Sequence, residues 1–200
     1  MRYDALYREL HATRPDYGAT LHPELMAEIA QDARRTKCLI DIGCGKGAFL
    51  IAMAKYLGYD PAIVLHGIDI VSSDTWLSEE ARYAHIRFLE ASILSDKSIY
   101  HQLSTATCFD VLEHLHRKEV ETILRVWRTV FPRGTSLWLI MSTVPAQTPV
   151  PGDMKREVKN LHRTIKSYDW WVSEVNKWLS PCFIQKEIKP DRVILAVNLF

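Results

Sequence analysis

The sequence has no long apolar segment and no excess of charge of either sign. No apolar run approaches the roughly 18 residues that a membrane-spanning helix needs. The first twenty residues contain Asp4, Glu9 and Asp16 in place of the apolar block of a secretory signal. Lysine and arginine number 25 against 24 acidic residues, so a net charge of +1 gives no reason to expect bulk binding of a polyanion. These absences predict a cytoplasmic protein with no membrane partner.

The sequence also lacks the cysteine pattern of a zinc site or a disulfide framework. Its four cysteines stand at positions 38, 44, 108 and 182 and form no CxxC pair. Cys38 and Cys108 lie in apolar runs, where they are predicted to be small core residues, and Cys44 is predicted to fit tightly inside a turn. There is no internal repeat. A content of 48% hydrophobic and 24% charged residues is that of a globular chain.

Apolar runs that predict strands alternate with amphipathic runs that predict helices. The strands are predicted at 38–43, 62–70, 85–91, 105–112 and 136–143, and the helices at 22–35, 47–58, 117–131 and 168–179. Two further runs, at 182–188 and 192–200, predict an antiparallel hairpin at the C-terminal end. This order predicts an α/β fold with a doubly wound, Rossmann-like sheet. We expect a single domain over residues 1–200, with an N-terminal helical cap at 1–35 and a lid-like insertion at 144–167.

A glycine-rich turn, DIGCGKGAF at residues 41–49, follows the first strand. A P-loop is excluded because Lys46 is followed by glycine and alanine, not by Ser or Thr. The dinucleotide fingerprint would place the third glycine one residue later than Gly47. Asp69 ends the second predicted strand, where a carboxylate can accept both hydroxyls of a ribose. The alternative for Asp69 is a loop or helix-capping acid.

Together, Asp41, the GxGxG that follows it and Asp69 resemble motif I and its partner acid in the class I S-adenosylmethionine-dependent methyltransferases. The resemblance extends from about Tyr17 to the C-terminal end and implies a seven-stranded sheet that ends in the hairpin. The family often has an acid for the adenine amine after the third strand, and here Ser92 stands there. The implied cofactor-binding residues are Tyr17, Asp41, Gly43, Gly45, Gly47, Asp69, Ile70, Ser92, Ile93 and Asp110. For Tyr17, a simple turn is the alternative.

A second group of polar residues, in FDVLEHLH, follows the fourth predicted strand. If the chain becomes helical at Asp110, then Asp110, Glu113 and His114 share one face, because they stand at i, i+3 and i+4. Two carboxylates and an imidazole at one point favour a divalent cation such as Mg²⁺, Mn²⁺, Fe²⁺ or Zn²⁺. The alternative is a structural role at the end of the strand, with Asp110 facing the cofactor.

This second group is similar to the metal site of two methyltransferase branches: the small-RNA 3′-terminal 2′-O-methyltransferases and the O-methyltransferases of ubiquinone biosynthesis. Asp110 stands where those families usually have glutamate. The RNA branch has a further downstream histidine before an aromatic helix, and His162 occupies such a position. The implied metal ligands are Asp110, Glu113, His114 and His162. His114 or His162 would act as the catalytic base.

The predicted function is methyl transfer from S-adenosylmethionine to a hydroxyl of a small metabolite or sugar, either with or without the assistance of a metal ion. The overall pattern also resembles small bacterial methyltransferases with mostly unassigned acceptors. Two alternatives stay open at this point. One is 2′-O-methylation of an RNA end, against which the near-neutral charge counts. The other is a cofactor-binding protein without enzymatic activity. The sequence leaves the oligomeric state unknown.

Overall fold

A computed structural model describes most of the chain: residues 7, 10, 12, 21–70, 84–93, 104–145, 148–149, 157–158, 161–179, 182–189 and 191–200. The chain divides into two compact units, Met1–Asp96 and Lys97–Phe200. The organisation as a single domain with a cap and a lid stays a prediction. Tyr17, most of residues 1–20 of the cap expected at 1–35, and much of the lid expected at 144–167 lie outside the described residues.

The first unit alternates strands and helices. A 3₁₀ turn, Pro23–Leu25, leads into the first helix. The elements that follow are α1 (Met26–Thr36), β1 (Cys38–Ile42), α2 (Ala48–Tyr56), β2 (Val64–Asp69) and β3 (Arg87–Glu90). The strands are parallel, in the order β3-β2-β1. All five residues of β1 are buried, as expected of a parallel strand with both faces covered.

The register of these strands brings their carboxyl ends to one edge. Asp41 of β1 is paired with Gly67 of β2, and Asp69 of β2 is paired with Glu90 of β3. The same edge therefore carries the glycine turn after β1, Asp69 at the end of β2, and residues 90–93 at and after the end of β3. In open α/β sheets this edge is the one that binds ligands.

The described residues of the second unit form four longer strands, a two-residue strand pair and two helices. Its elements are β4 (Thr105–Phe109), a 3₁₀ turn (Leu112–His114), α3 (Arg117–Val130), β5 (Ser136–Ser142), β6 (Thr148–Pro149), β7 (Glu157–Val158), α4 (Tyr168–Leu179), β8 (Cys182–Lys189) and β9 (Arg192–Leu199). The order is β4-β5-β9-β8, with β4 and β5 parallel and β9 antiparallel to both of its neighbours. The predicted antiparallel hairpin is therefore confirmed.

Each predicted helix and strand is present, and one difference with a clear cause is at the end of β4. The sequence predicts a strand to residue 112, whereas β4 ends at Phe109. The cause is Asp110, which has a φ of 53°. A left-handed residue cannot continue an extended strand, and aspartate is one of the few side chains that tolerates this conformation.

Helix α3 has the amphipathic pattern that predicted it from the sequence. Its buried residues Val120, Ile123, Leu124 and Trp127 recur at the spacing of one helix face. Across the described parts of the chain, no helix has the length and apolar character needed to cross a membrane.

Candidate functional site

The glycine turn is built from three left-handed residues. Gly43, Gly45 and Gly47 have φ values of 77°, 52° and 78°. The amides of Gly43 and Cys44 both donate to the carbonyl of Ile68, at 2.7 and 3.1 Å. The turn is therefore fastened to the end of β2, and only residues that tolerate positive φ can follow its course.

Asp69 is also fastened to this turn. Its Oδ2 accepts a hydrogen bond from the amide of Gly45 at 2.8 Å. The carboxylate is half-buried at the end of β2. This contact shows that Asp69 holds the turn in shape, a role that the sequence did not predict for it.

The Phe88 ring explains why two of the glycines carry no side chain. A Cβ at Gly47 would lie 2.6 Å from Cζ of Phe88, and a Cβ at Gly67 would lie 2.9 Å from its Cδ1. The same Cβ at Gly67 would lie 2.7 Å from Sγ of Cys44. The prediction that Cys44 fits tightly is confirmed by this contact and by its burial at 4% exposure. Burial, followed by the charges of Asp41 and Asp69, raises the pKa of its thiol.

The other residues predicted to bind the cofactor in the first unit lie near the same edge. Asp41 is buried within β1. Ile70 follows Asp69 directly and is half-buried, as is Ser92, and Ile93 is buried. Tyr17 lies outside the described residues.

The residues of DxxEH do not share a helix face. Asp110 is left-handed, and the 3₁₀ turn begins only at Leu112. The helical expectation for Asp110 is therefore wrong. A different arrangement results, in which Glu113 and His114 meet His162 and Asp110 lies outside the group.

Glu113, His114 and His162 form what we call the Glu–His cluster. One potential ligand atom from each of the three lies within 4.8 Å of the other two. The His114 and His162 rings are edge to face, with centroids 4.8 Å apart. This donor set of one carboxylate and two imidazoles suits a divalent transition-metal ion.

Glu113 is completely buried in this cluster. Its Oε1 accepts a hydrogen bond from the amide of Ser142, at the end of β5, at 3.0 Å. Among the described residues, its buried Oε2 has no hydrogen-bond partner. Burial, reinforced by the charge of Asp110, raises the pKa of Glu113 to about 8. A buried carboxyl oxygen without a partner is costly, so this atom fits a cation ligand.

His114 is held as a neutral imidazole. Burial and the neighbouring His162 lower the pKa of His114 to about 4, against the opposing effects of the Leu161 carbonyl and of Asp110. Its Nδ1 donates to the carbonyl of Leu161 at 3.2 Å. A metal ligand must be unprotonated, and this histidine meets that requirement at neutral pH.

His162 is oriented by a backbone carbonyl. Its Nδ1 donates to the carbonyl of Val144, just beyond β5, at 2.6 Å. In the neutral ring, Nε2 then carries the lone pair. A histidine that donates its other N–H to a carbonyl is the usual arrangement of a metal-ligating histidine.

Sequence reasoning identified the cluster residues but missed several that build the sites. They are Phe88, which acts through packing, Ser142, Val144 and Leu161, which act through backbone groups, and Thr164, which acts through its hydroxyl. No local pattern marks these residues, because their partners are far away in the sequence.

Residues 14–185 match a family model described as a methyltransferase domain. The chain belongs to this methyltransferase family. The predicted class I S-adenosylmethionine-dependent methyltransferase is thereby confirmed, and the alternative of a protein without enzymatic activity is set aside. No curated protein matches this methyltransferase by sequence.

Several solved structures share the fold. The DhpI–SAH complex is 12% identical, with a TM-score of 0.68 over 98% of this chain and 96% of that chain. The 1,6-didemethyltoxoflavin-N1-methyltransferase of Burkholderia thailandensis, with 1,6-didemethyltoxoflavin and S-adenosylhomocysteine bound, is 12% identical, with a TM-score of 0.67 over 98% and 88% of the two chains. At such identities the likeness establishes the fold alone, and it confirms the predicted Rossmann-like α/β architecture.

An O-methyltransferase family protein from Burkholderia thailandensis is 13% identical, with a TM-score of 0.65. The match covers 98% of the present chain but 59% of that protein. The methyltransferase thus spans little more than half the length of this neighbour.

Proposed function

We propose that this methyltransferase transfers the methyl group of S-adenosylmethionine to a hydroxyl oxygen of a small-molecule acceptor. Support for the donor comes from family membership and from structural neighbours whose complexes contain S-adenosylhomocysteine. Support for the acceptor class comes from the neighbour whose structure contains 1,6-didemethyltoxoflavin, a small molecule. An RNA end is less well supported, because the chain has a net charge of only +1.

The proposed donor site is the edge of the first unit. The methionine part of the cofactor would lie along the glycine turn, at Gly43, Gly45 and Gly47. Because Oδ2 of Asp69 already accepts from Gly45, the ribose hydroxyls would use mainly the other oxygen of this carboxylate. The remaining proposed contacts of the first unit are those of Tyr17, Asp41, Ile70, Ser92 and Ile93. Asp110, which belongs to the second unit, stays a proposed cofactor contact on the family resemblance alone.

The proposed acceptor-activating site is the Glu–His cluster. The observation that carries it is the buried Oε2 of Glu113, which has no partner in the described structure and belongs to a donor set within 4.8 Å. Glu113, His114 and His162 would hold a divalent cation, and Asp110 leaves the predicted ligand set. A cation bound there would supply a Lewis acid that lowers the pKa of an acceptor hydroxyl.

The two histidines of the cluster have different proposed roles. His162 offers the lone pair of Nε2 and is the proposed base if the site operates without a cation. His114 is a poor base, because a pKa of about 4 is far below the working pH. The role proposed for His114 is therefore that of a ligand.

The cluster favours oxygen as the methyl acceptor. A hydroxyl is a weak nucleophile until it loses its proton, whereas a neutral amine attacks a sulfonium without such help. A buried carboxylate with two imidazoles is therefore better explained by a hydroxyl. Alignment of this oxygen with the methyl group would supply much of the rate enhancement.

The proposal is tested by titrating Mn²⁺ and S-adenosylmethionine into the wild type, Glu113→Gln and Asp69→Ala by calorimetry. Mn²⁺ should bind the wild type about tenfold more tightly per pH unit between 6 and 8, because it displaces the proton of Glu113. Glu113→Gln should lose Mn²⁺ and keep the methyl donor, whereas Asp69→Ala should do the reverse.

Equal Mn²⁺ binding by the wild type and Glu113→Gln would contradict the cation site. Absence of S-adenosylmethionine binding by the wild type would contradict the donor site. Methyl transfer to short RNA, and not to small hydroxylated compounds, would replace the proposed acceptor class.

A further inference from the structure

His162 is carried by a segment that has no regular structure of its own. Residues 161–164, the 161–164 segment, form neither helix nor strand. The backbone amides of Arg163 and Thr164 both donate to the carbonyl of Glu113, at 2.7 and 2.9 Å. The position of His162 therefore depends on contacts with a turn almost fifty residues earlier in the chain, residues 112–116.

Thr164 adds a side-chain contact to this attachment. Its hydroxyl donates to the carbonyl of Leu115 at 2.7 Å, and the residue is 2% exposed. This side chain is not a member of the Glu–His cluster. Of the described contacts of the 161–164 segment, it is therefore one that a substitution can remove without changing a cluster residue.

The side chain of His162 lies edge to face with the ring of His114 on the 112–116 turn, but its hydrogen bond goes elsewhere. Its Nδ1 bonds to the carbonyl of Val144, in the loop after β5. The ring thus lies between two loops, and His162 stays within 4.8 Å of the donor atoms of Glu113 and His114 only while the 161–164 segment stays on the turn. The hydroxyl of Thr164 is placed to keep it there.

We propose that Thr164 is a positioning residue for His162. This inference rests on the proposed function, in which His162 is a member of the cation-holding cluster. Thr164 touches neither the acceptor nor the cation. It acts by fixing the 161–164 segment to the 112–116 turn, so that the three donor groups are assembled before the cation arrives.

The test compares Thr164→Val, which keeps the shape and removes the hydroxyl, with Thr164→Ser, which keeps the hydroxyl. Mn²⁺ alone is titrated into each full-length protein by calorimetry. Thr164→Val should bind Mn²⁺ about tenfold to a hundredfold more weakly, as is typical when the support of a metal ligand is lost. Thr164→Ser should bind like the wild type, and the affinity for S-adenosylmethionine should be unchanged in both.

A second arm asks whether Thr164 acts through His162. In a His162→Ala background, Thr164→Val should cause little further loss of Mn²⁺ affinity. Equal affinity of the wild type and Thr164→Val, equal losses in the Val and Ser variants, or a full additional loss in the His162→Ala background would each overturn the proposal.

A third arm needs no cation. Diethyl pyrocarbonate modifies accessible neutral histidines, and His162 is only 8% exposed. Mass spectrometry should show slow modification of His162 in the wild type and Thr164→Ser, and faster modification in Thr164→Val. If the wild type binds no Mn²⁺, the cation site fails, while this arm still decides the role of Thr164: equal labelling rates in all three proteins would refute it.

Discussion

At the scale of the residue, the close approach of Gly47 to Phe88 links the glycine turn to the packing of β3. Gly47 has a φ of 78°, and a Cβ there would overlap the Phe88 ring. Two separate costs therefore oppose a side chain at this position: the left-handed backbone and the steric overlap. The two costs can be separated by comparison with Gly58, which has a similar φ of 68°. No atom lies within 4 Å of a Cβ added at Gly58, so only the backbone cost applies there.

We predict that Gly47→Ala destabilises the fold more than Gly58→Ala does. The backbone term, about 1 kcal/mol, is common to both. The overlap with Phe88 adds about 1–3 kcal/mol at Gly47 alone. Urea denaturation measures both free energies of unfolding.

Phe88→Ala provides the control for this comparison. In that background, the difference between Gly47→Ala and Gly58→Ala should shrink, because the ring that causes the overlap is gone. If Gly47→Ala costs no more than Gly58→Ala in the wild-type background, the Phe88 contact does not explain the third glycine of the turn.

At the scale of the element, helix α3 begins just after the turn that carries two members of the Glu–His cluster, Glu113 and His114. Oε2 of Glu119 accepts a hydrogen bond from the amide of His116 at 2.7 Å. The residue that precedes the first turn of α3, His116, is thereby fixed two residues after His114. This is half of a capping box, which satisfies an amide that the helix itself cannot.

We predict that Glu119→Ala lowers the free energy of unfolding by about 0.5–2 kcal/mol, the usual worth of a helix cap. Glu121→Ala is the matched control, since it removes a half-buried carboxylate whose surface ion pair with the exposed Arg117 spans 3.0 Å. Such an exposed pair contributes about 0–1 kcal/mol. Similar losses in the two variants, measured by urea denaturation, would argue against the cap.

The elements themselves were largely predictable, because their signals are local. The spacing of Val120, Ile123 and Trp127 predicts α3, and the apolar run from Cys38 predicts β1. The end of β4 was not predictable, since the left-handed backbone of Asp110 has no marker in sequence beyond the tolerance of aspartate for it.

The candidate site was predictable only in part, for a related reason. Glu113 and His114 stand together in the sequence, and His162 was identified through a family resemblance. The contacts that assemble them join distant residues: Ser142 with Glu113 across 29 positions, and Thr164 with Leu115 across 49. Contacts of this kind depend on how the strands and turns fold together, so no periodicity or short motif reports them.

At the scale of the whole molecule, the cluster makes the stability of the cation-free protein depend on pH. The pKa of Glu113 is raised from 4.5 to about 8, so between these values the folded state holds a proton that the unfolded state has lost. Stability therefore falls as pH rises through this range. The pKa of His114 is lowered from 6.5 to about 4, so stability rises with pH between those two values.

Below pH 6.5 the contributions of Glu113 and His114 to the pH dependence of stability have opposite signs. Between pH 6.5 and 8 only the contribution of Glu113 remains. We predict that the free energy of unfolding of the cation-free wild type falls in this window by up to about 1.4 kcal/mol per pH unit. Glu113→Gln, which has no proton to lose, should show a flatter profile. Urea denaturation at pH 6.5, 7.25 and 8 in the presence of a chelator measures both slopes.

The comparison between the two proteins isolates Glu113, because every other titrating group is common to both. His66, for example, has a pKa lowered by burial and by Arg87, and it contributes equally to the two profiles. Saturating Mn²⁺ should reduce the fall in the wild type, since a bound cation favours the deprotonated carboxylate in the folded state. Parallel profiles for the wild type and Glu113→Gln would mean that Glu113 is ionised throughout this range, and that a cation would displace no proton from it.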